Sequence, residues 1–158
     1  MFDRIREWLA MRKYKKVRII EKGKRKESIV VTELLRHPSL DNIFEFVCNH
    51  IEYRSEKKDF WKLPSETLRD GYGDCEDGAI LLATLFRLAV PKKEWWQIFV
   101  YIYEKPAHAV VVIGDTVYDW AKKSKRTLQD IKDWRFWYCF NFRNSYTTQE
   151  NYERWRKH

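Results

Sequence analysis

The chain has 158 residues, 44% of them hydrophobic and 16% aromatic, with 31 Lys or Arg against 23 Asp or Glu. That is long and apolar enough for one domain with its own core and is unlike the composition of a disordered chain, and no run approaches the roughly 18 apolar residues of a membrane span. The three cysteines, at positions 48, 75 and 139, form neither a CxxC metal pattern nor an even-numbered disulfide framework, so at least one thiol is expected to be reduced.

The excess charge is local. Residues 1–26 hold eleven Lys or Arg against Asp3, Glu7 and Glu21, a balance of +8, and the rest of the chain carries 20 of each sign. An electrostatic partner, such as nucleic acid or an anionic membrane surface, is therefore expected to meet residues 1–26. Phe2, Ile5, Trp8 and Leu9 recur at helical spacing, and the β-prone runs 14–20 and 27–32 flank the basic stretch 22–26. Residues 1–32 are read as a basic helix-and-hairpin arm and residues 33–158 as the main domain. The opening decapeptide is too charged for a signal peptide, which predicts a cytoplasmic protein.

Pro38 and Ser39 introduce Leu40, Ile43, Phe44, Phe46, Val47, His50 and Ile51, an amphipathic helix with Ser39 as N-cap. One helical turn is predicted after Pro64, closed by Gly71 in the left-handed conformation. Gly71-Tyr72-Gly73-Asp74-Cys75-Glu76-Asp77-Gly78 then leads into the apolar run 79–89, a helix that must be buried and must stop before Pro91. A helix N-terminus carries unpaired N–H groups that favour a thiolate and can bring a cysteine pKa from ~8.5 to between ~3.5 and ~7.5. Cys75 is the candidate nucleophile, whereas Cys48 and Cys139 read as small core residues.

Residues 97–103, 107–113, 116–120 and 134–142 are rich in Val, Ile and aromatics and predict an antiparallel sheet. Thr147-Thr148-Gln149-Glu150 fits a capping box opening a last helix to about Arg156. Helices first and strands second argue an α+β fold.

A thiolate nucleophile works with a histidine, and the histidine with an orienting group. Of the histidines at 37, 50, 108 and 158, His108 alone opens a strand. Gly114-Asp115 has the composition of a two-residue hairpin turn, pairing Ile113 with Thr116, Val112 with Val117 and Val111 with Tyr118. Side chains alternate, so His108 and Asp119 share a face and lie on a diagonal within reach of each other. Asp115, in the turn, is the poorer orienter.

The segment from Phe60 to Asp77, containing Trp61, Pro64, Glu66-Thr67-Leu68, Gly71, Gly73-Asp74-Cys75-Glu76-Asp77, resembles the bacterial transglutaminase-like cysteine peptidases. The resemblance extends back to Ile43–Tyr53 and forward through His108-Ala109-Val110 to Tyr118-Asp119, about half of the chain. It implies a papain-like transglutaminase core with Cys75 as nucleophile, His108 as general base and acid, and Asp119 as its orienter. Some of these peptidases bind calcium beside the cysteine, which maps to Asp74 and Glu76. Those residues are also ordinary helix-start carboxylates, and calcium needs six to eight oxygens. No cofactor is otherwise required. The Cys75 N–H is one oxyanion donor, and the Trp61 indole is a candidate for a second. Gly78 and Trp120 depart from the family pattern, at positions where larger and smaller residues respectively are common.

The function expected is attack on the amide of a protein, peptide or glutamine side chain through a Cys75 thioester, with hydrolysis favoured over amine transfer. The alternative is a silent cysteine site in a binding or assembly module that works through its basic arm.

Overall fold

The computed structural model describes residues 38–57 and 60–157, and the arm expected over residues 1–32 lies outside them. Helix α1 (Leu40–His50) begins where the Ser39 hydroxyl accepts the Asn42 N–H at 3.0 Å. It buries Ile43, Phe44, Phe46, Val47 and Cys48. Strand β1 (Glu52–Tyr53) pairs in parallel with β2 (Tyr72–Gly73), on either side of helix α2 (Pro64–Asp70). Pro64 suits the first turn because its missing N–H would have had no helical partner, and Gly71 closes the helix at φ 74°.

Helix α3 (Cys75–Phe86) is buried on nearly every face, as its unbroken apolar run requires. It ends at Phe86, and Leu88 and Ala89, predicted as helix, instead donate to Leu85 and Phe86 in a tighter closing turn.

The rest is one six-stranded antiparallel sheet in the order β6-β5-β4-β3-β7-β8. Its strands are β3 (Ile98–Lys105), β4 (Ala107–Ile113), β5 (Thr116–Asp119), β6 (Ser124–Thr127), β7 (Arg135–Phe140) and β8 (Ser145–Thr147). The short polar strands β6 and β8 were not foreseen. Neither Ser-Lys-Arg-Thr nor Ser-Tyr-Thr has the apolar alternation that marks a strand, and each is recruited to a sheet edge by its neighbour. Helix α4 (Gln149–Arg156) follows, with Thr148 rather than Thr147 capping it: Thr148 Oγ1 accepts the Asn151 N–H at 3.2 Å, while Thr147 Oγ1 donates to the Trp137 carbonyl.

The α+β fold thus sets α1 and α3 on one face of the sheet. Ile80, Leu81, Leu82, Leu85 and Phe86 of α3 meet Ile43 and Val47 of α1 and Val100, Val111 and Phe140 of the strands. Each such buried side chain contributes about 1.5–3 kcal/mol. The opposite face has its own smaller cluster of Tyr103, Val110, Val112, Val117 and Ile131, with Trp134 and Phe136 packed against it. Adjacent β4 residues therefore feed different cores.

Candidate functional site

Cys75 is the first residue of α3, and the turn that presents it is held by reciprocal capping. The Asp77 N–H donates to Asp74 Oδ1 at 3.1 Å and the Asp74 N–H to Asp77 Oδ2 at 3.3 Å. The other oxygen of the fully buried Asp77 accepts the Lys62 N–H at 2.7 Å, which ties the loop before α2 to the start of α3.

The Cys75 thiol donates to Glu76 Oε2 at 3.0 Å, and the backbone N–H of Ala109, the residue after His108, donates toward the same sulfur. With the residue only 7% exposed, burial is the main influence and pushes the thiol well above the usual cysteine range; the Glu76 charge and its hydrogen bond push the same way. This corrects the expectation of a thiol activated by its helix end. The positive end of α3 is already answered by the carboxylates of Asp74, Glu76 and Asp77 in its first turn, so little of the dipole is left for sulfur. Cys48 and Cys139 are core thiols, each pushed up to about 11 by burial.

His108 and Asp119 meet as the hairpin register requires. Gly114 supplies the positive φ of the two-residue turn, 62°, and Ile113 pairs with Thr116, Val112 with Val117 and Val111 with Tyr118. His108 Nε2 lies 2.9 Å from Asp119 Oδ1 and 3.0 Å from Oδ2. The carboxylate is fully buried, accepts the Lys122 N–H at 3.1 Å, and has Arg126 Nη2 at 3.8 Å. The imidazole stands edge-on to Trp134. A proton held on Nε2 by the carboxylate leaves the Nδ1 lone pair as the basic position. Cys75 thus reaches the strand of His108 through Ala109, but no hydrogen bond joins its sulfur to the imidazole.

Trp120, the residue after Asp119, is 1% exposed and donates its indole N–H to the Cys75 carbonyl at 2.9 Å. Trp120, one of the two departures from the family pattern, therefore touches the backbone of Cys75 itself. Trp61 stacks on Phe140, and its indole N–H is buried with no partner among the described residues.

Oxygens of Glu56, Asp74 and Asp77 lie within 4.8 Å of one another. Asp74 was expected in such a cluster; Glu76, its expected companion, is turned to the Cys75 thiol instead. Burial, followed by the charge of Glu76, pushes the Asp74 carboxyl up to about 8. Lys62 Nζ lies 3.0 Å from Glu56 Oε1 and over the Tyr72 ring. Glu56 and Lys62 carry no signal in the sequence, whereas Asp77 stands in the motif around Cys75 as a helix-start carboxylate, and the Asp74-x-x-Asp77 spacing before an apolar run is itself a capping signal.

The family described as the transglutaminase-like superfamily matches residues 24–90, a span that takes in Cys75 and stops short of His108. The likeness to that superfamily is thus confined to these 67 residues of the chain. LapG of Legionella pneumophila has a similar fold, with a TM-score of 0.64 at 20% identity over 97% of this chain and 94% of that one. Its EGTA-treated form gives a TM-score of 0.65 at 20% identity over 92% of this chain and 86% of LapG. Its calcium-bound form gives 0.62 at 20% identity over 93% and 87%. No curated protein sequence matches the chain significantly. The chain therefore has a LapG-like fold of helices on a six-stranded antiparallel sheet, and residues 24–90 within it are similar to the transglutaminase-like superfamily. Among the described residues, no helix is long and apolar enough to cross a membrane.

Proposed function

We propose that the chain is a transglutaminase-like cysteine peptidase or amidase in which Cys75, His108 and Asp119 form the catalytic triad. The observation that carries this reading is the contact of His108 Nε2 with both oxygens of a buried Asp119 on the strand whose next residue, Ala109, donates to the Cys75 sulfur. In the reaction, His108 Nδ1 takes the thiol proton as sulfur attacks the amide carbonyl, and Asp119 steadies the imidazolium that results. The oxyanion is met by the Cys75 N–H and the Trp61 indole, whose N–H has no partner among the described residues. The imidazolium returns its proton to the leaving amine, and water activated by the same nitrogen hydrolyses the thioester. The closed, half-buried Cys75 turn must open for substrate, and Glu76 must release the thiol for His108 to take its proton.

Incubation with a small activated acyl ester tests the reading without knowledge of the natural substrate. Intact mass spectrometry is expected to show one acyl group on Cys75, lost in Cys75→Ala and strongly slowed in His108→Ala. Acylation that persists in Cys75→Ala would overturn it.

Calcium fits the same turn in part. Asp74 and Glu56 have the oxygen donors and crowded charge that a divalent cation would neutralise, and Glu76 would add a third carboxylate on leaving the thiol. Both Asp77 oxygens are already held by backbone N–H groups, so Asp77 is the weakest ligand. Bound calcium would supply charge neutralisation beside the nucleophile. Millimolar calcium is expected to raise the melting temperature of the wild type, and not of Asp74→Asn; an equal rise in both would place the ion elsewhere.

A second role is favoured by one observation, the concentration of the whole net charge of +8 in residues 1–26. We propose that this arm recruits an anionic polymer or surface to the domain. Removing residues 1–26 should abolish a salt-sensitive affinity for anionic vesicles or nucleic acid while leaving Cys75 acylation intact.

A further inference from the structure

Trp120 and Gly78 are two positions where the chain departs from its family pattern, and the fold brings them against each other. A Cβ added at Gly78 would lie 1.9 Å from Trp120 Cε2, 2.2 Å from Cζ2 and 2.4 Å from Nε1. The indole therefore occupies the place of a side chain on α3, one turn beyond Cys75. Its N–H is spent on the Cys75 carbonyl at 2.9 Å, and its own carbonyl faces the Cys48 thiol of α1 at 3.9 Å. Its backbone is continuous with Asp119, which holds His108.

We infer that Trp120 is a positioning residue, locked into a socket that Gly78 leaves open, and that it fixes the Cys75 backbone relative to the Asp119–His108 pair. This rests on the triad reading above. The geometry has a direct consequence: strand β5 ends at Asp119, and the next residue clamps the helix that carries the nucleophile. Orienting group and nucleophile are thereby tied by one residue of chain and one hydrogen bond, where small movements of a reacting atom cost rate steeply. The hydrogen bond takes up one lone pair of a carbonyl in the first turn, and the surrounding core holds the ring that makes it.

Glycine within a helix is ordinarily less stable than alanine by about 1 kcal/mol, so Gly78→Ala should stabilise α3 if nothing opposes it. Here it should lower the melting temperature by several degrees in the wild type and raise it in Trp120→Leu, whose smaller side chain vacates the socket. An equal effect in both backgrounds would overturn the interlock. Trp120→Phe removes the donor together with one ring of the indole, a loss of core volume that Phe86→Leu controls for. It should reduce the maximal rate of Cys75 acylation by an activated ester at least tenfold with little change in the half-saturating concentration. Phe86→Leu, a core change at the far end of α3, should lower the melting temperature and leave that rate within twofold. If Trp120→Phe and Phe86→Leu change the rate alike, Trp120 is only a packing residue. If wild-type Cys75 is not acylated at all, the triad reading fails and the positioning role with it, whereas the melting comparison still decides whether the two side chains interlock.

Discussion

The Cys75 thiol donates to Glu76 Oε2 at 3.0 Å, although the next residue along from His108 lies against the same sulfur. The thiol is held neutral chiefly by burial, and the Glu76 carboxylate of its own helix adds to this.

Glu76→Gln should therefore release the thiol. Burial remains the largest cause of its high pKa, but the charge and the charge-assisted hydrogen bond are removed, so the thiolate fraction rises. The rate of Cys75 modification by iodoacetamide at pH 7.5, resolved from Cys48 and Cys139 by peptide mass spectrometry, should increase at least fivefold. An unchanged rate would show that Glu76 does not restrain the thiol.

Asp119→Asn should leave the fold in place and damage the chemistry. An amide presents a donor toward His108 Nε2 and favours the tautomer with its proton on Nδ1, the nitrogen required as base. Loss of the corresponding carboxylate in a serine triad costs roughly 10⁴-fold in rate. Cys75 acylation should fall by about 10³-fold or more while the circular dichroism spectrum is retained. A loss of less than tenfold would remove Asp119 from the triad.

Asp74 makes the stability of the protein depend on pH. Its carboxyl is held up to about 8 in the folded chain against its ordinary value of 3.8, so between those values the folded state binds a proton that the unfolded state has lost. Its contribution is fully present below pH 3.8 and is lost as pH rises through about 8. The wild-type melting temperature should decline across this window more steeply than that of Asp74→Asn, which can still cap Asp77. Parallel curves would show that Asp74 ionises normally.

Much of this site was legible in the sequence because its parts obey local rules. Ser39 and Pro64 open their helices, Gly71 closes one, and the even-length Gly114-Asp115 turn fixed which residues of β4 and β5 share a face. The His108–Asp119 contact follows from that register alone. Edge strands β6 and β8 escaped because polar strands are specified by the neighbour they pair with. The state of Cys75 escaped for a different reason. Helix position was visible, but burial and the direction taken by the Glu76 side chain are tertiary facts, and together they outweigh the helix end. Trp120 was visible as an unusual residue, and only the packing of β5 against α3 revealed that Gly78 is its counterpart.

The central claim is that His108 takes the proton of Cys75 once Glu76 no longer holds it. Its most direct test compares the iodoacetamide reactivity of Cys75 at pH 7 in Glu76→Gln with that in the double variant Glu76→Gln/His108→Ala. A rate at least tenfold higher when His108 is present is predicted, and equal rates in the two proteins would contradict the account.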